Sequence, residues 1–478
     1  MDLINWMNQH GGWLWLISIV VLPYVLAESA LFLTVLSQSV RFWSKQSKEP
    51  KKELTAASEN DGISVLVPAY NEEKVVVESV RSILASSHSS FEVIVINDGS
   101  MDNTLGVLEK AFDLRKTVLK PRDIVSESPV RTTYRSRTNP NLVVLDKLHP
   151  AQGKADALNT GIGYASYDLV CVVDADSILE KDSLLEILQP FKQQPETIAV
   201  GGAIRPVNAP KKIWPLQLFN PLAWAQTIEY ARIFYMDRVV LSKLNLNYII
   251  SGAFGLFRRE AMIAVGGYRK SLAEDMDLTL RLHRHYREEE KPYRISHAPK
   301  ATCWTEVPYT LEIFERQRAR WHSGFIQGVL EHRDIIGKKR FAGFGKIVLP
   351  YCLLTLGEPL FVLMSLVLTI FSFIMPAYTG GVIATFFIAH FVFSLTYLAA
   401  LSFAEMQKPK FKLGHVLKNY VLWLVFGKIF DTISFLFRLS GYRKYFAKET
   451  SWGRMERRGE LMAAYTRHSG SALERAEA

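Results

Sequence analysis

Residues Asp168 to Asp176 read DLVCVVDAD. An apolar run this short, closed at both ends by acids, suits a strand buried on both faces better than a helix. It ends on two carboxylates one residue apart, Asp174 and Asp176. Working outward, ISVLVPA (Ile63 to Ala69), FEVIVIND (Phe91 to Asp98) and NLVVLDK (Asn141 to Lys147) have the same character. Helical patterns stand between them, at Glu73 to Ser86 and at Lys154 to Ala165. Strands that alternate with helices predict an α/β domain with a mostly parallel sheet. The stretch Asp113 to Pro140 is richer in Arg and Thr and is expected to form an irregular surface excursion.

Open α/β sheets bind ligands beyond the carboxyl ends of their strands. Asp98, in NDGS, and the pair Asp174 and Asp176 should therefore share one cleft. Two carboxylates so placed can hold Mg2+ or Mn2+ through oxygen and leave positions for a diphosphate. A solvated turn is the competing reading of either motif alone, and it weakens when both motifs close strands of one sheet. VPAYNEE (Val67 to Glu73) ends another strand, where a ring and backbone amides can lie against a flat base. A plain helix cap at Asn71 is compatible with that role. GKADALNTG (Gly153 to Gly161) sets Lys154 near the start of a helix, where a diphosphate is favoured.

The flanks have a different composition. The chain has 478 residues, 49% of them hydrophobic and 22% charged, which fits a polar domain between membrane segments. Residues Trp13 to Leu36 read WLWLISIVVLPYVLAESALFLTVL and are long enough to span a bilayer. A basic run, Arg41, Lys45, Lys48, Lys51 and Lys52, follows. By the positive-inside rule the N-terminal tip, 1–12, lies outside and the next domain is cytosolic. The expected division is a membrane helix at 13–36, a basic linker at 37–61, the α/β domain at 62–340 and two membrane helices within 341–403. These last correspond to Ile347 to Met375 and Val382 to Phe403. An interfacial or re-entrant amphipathic segment follows at 404–450, because Val416 to Leu439 carries Lys418, Lys428, Asp431 and Arg438. A basic tail, 451–478, is expected to stay cytosolic. The net charge of +10 collects beside the apolar segments, which points to lipid headgroups as counterions. No nucleic-acid motif accompanies it. Three scattered cysteines form neither a zinc spacing nor a disulfide framework and suit a reducing compartment.

The motifs VPAYNEE, NDGS, GKADALN, DAD, SGAFGLFRRE, AEDMDL and QRARW occur in this order between Gly62 and Gly328. The set resembles family-2 glycosyltransferases with the GT-A fold. It is most similar to their processive membrane branch, the cellulose, chitin, hyaluronan and poly-N-acetylglucosamine synthases. That resemblance implies a UDP-sugar donor, a growing glycan acceptor, a divalent cation (Mg2+ or Mn2+) and inversion to a β-linkage. It implies that Tyr70, Glu72 and Asp98 form the uridine pocket, that Lys154 and Asp174 contact the donor, and that Asp176 is the main metal ligand.

Asp275, in AEDMDL, matches the family's general base. A carboxylate within hydrogen-bond reach can take the proton of an attacking hydroxyl. A solvated helix start is the plain alternative for this acidic run. QRARW matches the QxxRW signature and places Gln317, Arg320 and Trp321 on one helix face. Arg320 suits the diphosphate, and Trp321 suits stacking against the acceptor sugar or, alternatively, a membrane belt. Ser251, Gly252 and Ala253 resemble the segment beneath the acceptor's terminal sugar. SWGRMERRG resembles a gating loop that involves Trp452, Gly453, Arg454 and Arg457, with Arg454 where Thr is the family's residue.

Three functions are in competition. The first is a processive synthase in a bacterial inner membrane that also secretes its product, with N-acetylglucosamine as the first sugar and glucose the second. The next is single-sugar transfer to a polyprenyl-phosphate or other lipid acceptor, which QRARW together with SGAFG disfavours. An inert scaffold or sugar-nucleotide sensor is the third, and it would not need Asp275. Accessory or export subunits are left open by the sequence.

Overall fold

The structure is a computed structural model and describes residues 12–48, 61–126, 128–148, 153–209, 220–374, 376–408 and 410–448. Its strands are β1 (Ile63–Ala69), β2 (Phe91–Asn97), β3 (Leu114–Thr117), β4 (Val130–Ser136) and β5 (Leu142–Lys147). They continue with β6 (Leu169–Val173), β7 (Ser177–Leu179), β8 (Thr197–Pro206), β9 (Phe254–Arg258) and β10 (Arg294–Thr305). The helices are α1 (Gly12–Lys48), α2 (Val76–Leu84), α3 (Thr104–Phe112), α4 (Lys154–Tyr164), α5 (Ser183–Gln193) and α6 (Pro221–Arg232). After them come α7 (Arg238–Lys243), α8 (Arg259–Ala264), α9 (Glu274–Glu288), α10 (Leu311–Glu331), α11 (Leu349–Ile374), α12 (Pro376–Met406) and α13 (Leu413–Phe446).

The strands form one mixed sheet in the order β3-β4-β5-β2-β1-β6-β9-β8-β10-β7. Its central block, β5-β2-β1-β6, is parallel and consists of the four strands that the sequence marks as apolar runs. Both faces of this block are buried. Val65, Val67, Val93, Val95, Val144 and Cys171 pack into one core, and Leu66, Ile94, Ile96, Val143, Leu145 and Val170 into the other. The period of two sends neighbouring residues to opposite cores, which is why these strands read as unbroken apolar text. On the second face α4 lies close to the sheet at Gly161, where a Cβ would stand 2.9 Å from Ile96 Cδ1 and 3.0 Å from Leu66 Cδ1. That close approach brings the start of α4, with Lys154, to the carboxyl ends of the parallel strands.

Three expectations need correction. Part of the stretch Asp113 to Pro140 is regular, because β3 and β4 pair antiparallel with each other and β4 pairs with β5. The β-branched and aromatic residues of VRTTYRS complete an otherwise open sheet edge. The basic linker at 37–61 is helical as far as Lys48, as the continuation of α1. Trp43 anchors it, donating from Nε1 to the Tyr235 carbonyl at 2.9 Å and stacking on Phe403.

The third correction concerns 404–450. Here α13 is one uninterrupted helix of 34 residues rather than a re-entrant hairpin, and it lacks a polar face opposed to an apolar one. Val416, Trp423, Gly427, Phe430 and Ser434 are buried against the protein, while Leu417, Val421, Val425, Ile429 and Leu436 are exposed on the other side. Both faces are therefore largely apolar. Among the described residues, Pro23–Lys48 and Leu413–Phe446 are long and apolar enough to cross a membrane. Trp452, Gly453, Arg454 and Arg457 lie outside the described residues.

Candidate active site

The cleft is assembled where β1, β2, β5 and β6 end. Tyr70 follows β1 half-buried, and Asn71 takes a left-handed conformation (φ 58°). Asn71 Oδ1 accepts from the amides of Met101 and Asp102 at 2.7 and 3.2 Å. The Glu72 amide donates to Thr104 Oγ1 at 2.8 Å. The VPAYNEE turn is thus clipped to the turn after NDGS, and Asn71 tolerates the positive φ because its short amide bonds locally.

Asp98 follows β2 and is buried with Lys147, the last residue of β5. Lys147 Nζ donates to Asp98 Oδ1 at 2.6 Å and also to Asp156 Oδ2. Burial raises the Asp98 carboxyl above its usual range despite the opposing pull of Lys147. Asp156 is held below its usual range. Burial alone would raise it, but hydrogen bonds from Lys147 and Ser126 outweigh that effect.

The second half of the cleft centres on Lys154. Its Nζ pairs with Asp174 Oδ1 at 2.5 Å, approaches Glu274 Oε1 at 3.6 Å and donates to the Gly252 carbonyl at 3.1 Å. Burial would lower the Lys154 ammonium, yet Asp174 and Glu274 hold it above its usual range. Glu274 is raised by burial against the pull of Lys154, and the Arg320 guanidinium is close enough to act on it as well. Asp275 Oδ2 accepts from the Gly252 amide at 3.0 Å, and its Oδ1 accepts from the Met276 amide at 2.8 Å. The first turn of α9 therefore holds Asp275 against the Ser251–Ala253 segment. A Cβ on Gly252 would stand 3.0 Å from Lys154 Nζ, so a side chain here would press on the ammonium that Asp174 holds.

Helix α10 carries QRARW. Gln317 is buried, Arg320 half-buried and Trp321 37% exposed. Arg318, which the sequence reading passed over, is the residue that fastens this helix. Its Nη1 donates to Glu229 Oε1 of α6 at 2.7 Å, its Nη2 reaches Glu229 Oε2, and the guanidinium lies 4.9 Å from the Trp321 ring centre. Such two-pronged contacts with a carboxylate are the special capacity of arginine.

Asp174, Lys154, Gly252, Asp275 and Glu274 are thus joined by direct contacts. Asp98 belongs to a neighbouring cluster with Lys147 and Asp156. The sequence reading missed Lys147, Asp156, Glu274 and Arg318. A charged residue closing an apolar strand, as Lys147 closes LVVLDK, was the available signal for the first. For a divalent cation, Asp174 and Asp176 offer hard oxygen atoms, and Asp176 is buried. No group of three or more His, Cys, Asp or Glu suited to an ion occurs among the described residues. The pair fits Mg2+ or Mn2+ as a partial ligand set, of the kind that substrate phosphates complete.

A sequence profile described as "Glycosyltransferase like family 2" matches residues 60–324, which include every contact of the cleft described above. The chain belongs to glycosyltransferase family 2. The poly-beta-1,6-N-acetyl-D-glucosamine synthase of Staphylococcus aureus is 30% identical over 302 residues, 63% of this chain and 63% of that protein. The enzyme of the same name from Staphylococcus epidermidis is 31% identical over 290 residues, 60% of each. The chain therefore spans less than two thirds of these relatives. Among solved structures, a mannosyltransferase from Pyrobaculum calidifontis in complex with GDP-Man and Mn2+ has a TM-score of 0.51 at 18% identity. It covers 91% of this chain and 99% of its own, and it supports the GT-A fold.

Proposed function

We propose that this glycosyltransferase is inverting and processive, and that it polymerises a sugar from a UDP-sugar donor into a β-linked polysaccharide at a bacterial inner membrane. The single observation that carries this reading is the seating of the QRARW helix. It contributes Arg320 to the donor cluster by charge, and on its other side it packs along α13. Ser323 Oγ donates to the Gly441 carbonyl at 2.8 Å, and a Cβ on Gly441 would stand 2.9 Å from the Ala319 carbonyl oxygen. The acceptor side of the cleft thereby borders the apolar helices, where a growing chain would leave.

Asp275 takes the proton of the acceptor hydroxyl, and Lys154 and Arg320 balance the charge of the departing diphosphate. A divalent cation held by Asp174 and Asp176 would supply further charge neutralisation there. The printed names of the staphylococcal relatives support UDP-N-acetylglucosamine as the first donor to test. Incubating membranes that contain the protein with a panel of radiolabelled UDP-sugars and Mg2+ or Mn2+, then sizing the product, tests the reading. Labelled polymer supports it, whereas a single sugar on a lipid fraction supports transfer to a lipid carrier instead.

The membrane arrangement belongs to the same reading. Alongside the Gly441 contact, Trp224 Nε1 of α6 donates to Asn419 Oδ1 at 2.9 Å, so α13 follows the catalytic domain over most of its length. Glu358 of α11 pairs with Arg438 of α13 at 2.7 Å. These contacts support an α13 that lies along the inner surface, with its exposed apolar side toward lipid, α1, α11 and α12 crossing, and the C-terminus cytosolic. A reporter fused after Ala478 is expected to be active only in the cytosol. Activity only in the periplasm would mean that α13 crosses.

Trp321→Ala is expected to harm elongation more than donor hydrolysis. A stacking platform lost at the acceptor side loosens the attacking hydroxyl, and small misplacements cost about a hundredfold in rate. Water needs no platform. The ratio of UDP released to sugar incorporated, at saturating donor, should therefore rise. An unchanged ratio with both rates lowered would assign Trp321 to the fold or to the membrane belt.

A further inference from the structure

We infer that the cleft between the end of α9 and the chain leading into α11 binds the phosphate of an anionic phospholipid. The inference rests on the membrane arrangement proposed above. The cleft lies apart from the basic runs that sequence marks beside the apolar segments.

The cleft forms because α9 ends in a tight closure. The Lys291 amide donates back to the Tyr286 carbonyl at 3.0 Å, and the Glu290 amide to the Arg287 carbonyl at 3.4 Å. Glu290 takes the left-handed conformation (φ 54°) that this Schellman closure usually gives to glycine. Lys291 is thereby turned back over the last turn of the helix, and Pro292 cannot continue it. From the other side Arg340 donates from Nε to the Arg287 carbonyl at 3.2 Å and from Nη2 to the Glu288 carbonyl. The carbonyls of a helix C-terminus would repel an anion, and here a guanidinium covers them. The resulting cleft has a volume of about 450 Å3, and Arg287, Lys291, Arg340, Tyr286 and Tyr293 are among its lining residues.

Three cations line the cleft against one acid, Glu290. Glu290 stands 3.8 Å from Arg340, and Lys291 stands 3.5 Å from Glu289. All four side chains are at least 50% exposed, and exposed pairs of this kind hold weakly. Arg287 Nε is buried and has no hydrogen-bond partner among the described residues. A planar guanidinium with an unused donor, beside an ammonium, suits the oxygens of a phosphate. The Tyr286 and Tyr293 rings, with centres 5.3 Å apart, add a wall of the residue type that collects at headgroup depth.

Location selects a lipid over a soluble phosphate. Asn245 lines the cleft and donates from Nδ2 to the Tyr293 carbonyl at 3.0 Å. Just before it, Lys243 Nζ donates to Gln38 Oε1 of α1 at 3.0 Å, and Gln38 stands directly past the apolar span Trp13 to Leu36. On the opposite wall, Arg340 shortly precedes Ile347, an apolar side chain 58% exposed, and α11 starts at Leu349. On the proposed arrangement the cleft is held between two membrane helices where they leave the bilayer, at the depth of the lipid phosphates.

The test is native mass spectrometry of the full-length protein in detergent, titrated with phosphatidylglycerol or phosphatidylcholine. The wild type is expected to bind phosphatidylglycerol about tenfold more tightly, as uncompensated cations at a membrane surface favour an anionic lipid. Arg287→Gln combined with Lys291→Gln should remove that preference. Should this pair fail to fold, Lys291→Glu alone, at an exposed position, should narrow it severalfold. Lys346→Gln removes a cation of the same connection outside the cleft and should leave the preference unchanged. An equal loss in Lys346→Gln, or an unchanged preference in the cleft variants, would overturn the inference and leave the membrane arrangement intact. Displacement of phosphatidylglycerol by inorganic phosphate would also overturn it, by assigning the cleft to a soluble anion. Recovery of the protein in the soluble fraction without detergent would overturn the membrane arrangement itself.

Discussion

Replacing Asp275 with Asn is expected to lower sugar transfer by roughly a hundredfold to ten-thousandfold, the usual contribution of a positioned general base, with UDP affinity unchanged. The geometry explains why the two effects separate. Asp275 meets the Gly252 amide with one oxygen and the Met276 amide with the other, so it is held by the Ser251–Ala253 segment and by its own helix. On the proposed reading the donor is held instead by Lys154 and Asp174, which pair at 2.5 Å. Asn is nearly isosteric and still offers one oxygen to an amide, so α9 should keep its place. It cannot take a proton. Polymer formation and UDP titration on the same membrane preparation check this, and turnover near wild type in Asp275→Asn would remove the base assignment.

Arg318→Met is expected to destabilise the catalytic domain by about 3–5 kcal/mol, because it leaves the buried Glu229 carboxylate without its partner. The side chains of Arg318 and Glu229 are 6% and 10% exposed. The double variant Arg318→Met with Glu229→Gln should regain much of the loss, since a neutral amide is far less costly to bury than an unpaired charge. Thermal unfolding in one detergent, wild type against the single and double variants, gives the comparison. If the double variant were no more stable than Arg318→Met, packing of the long side chain against Trp321 and Phe314 would be the larger contribution, not the charge pair.

Much of the site was legible because its chemistry is concentrated at strand ends. Asp98, Asp174 and Asp176 each close an apolar run, and their convergence follows from a parallel sheet alone. Lys154 at a helix start was legible for a similar reason. The hairpin of β3 and β4 was not, because LRKT is only four residues long and VRTTYRS keeps Arg131 and Arg135 exposed, so neither reads as an apolar run. The nature of α13 was hidden differently. Helical pattern reading looks for one apolar face, and here two apolar faces, one against protein and one exposed, cancel each other. Its charges then suggested one polar face, whereas Arg438 is spent on Glu358.

Local text was sufficient for the α/β class, the four central strands and the family motifs. Each depends on periodicity or on a short spacing that the backbone itself imposes. The partners of Lys147, the joining of Lys154 to Gly252 across 98 positions of chain, and the clamp of Arg318 on Glu229 across 89 are of another kind. They are side-chain contacts between distant segments, selected by strand register and by how closely α4, α9 and α10 approach the sheet. Charge pairing carries no sequence period, so only the folded chain decides which acid each cation meets.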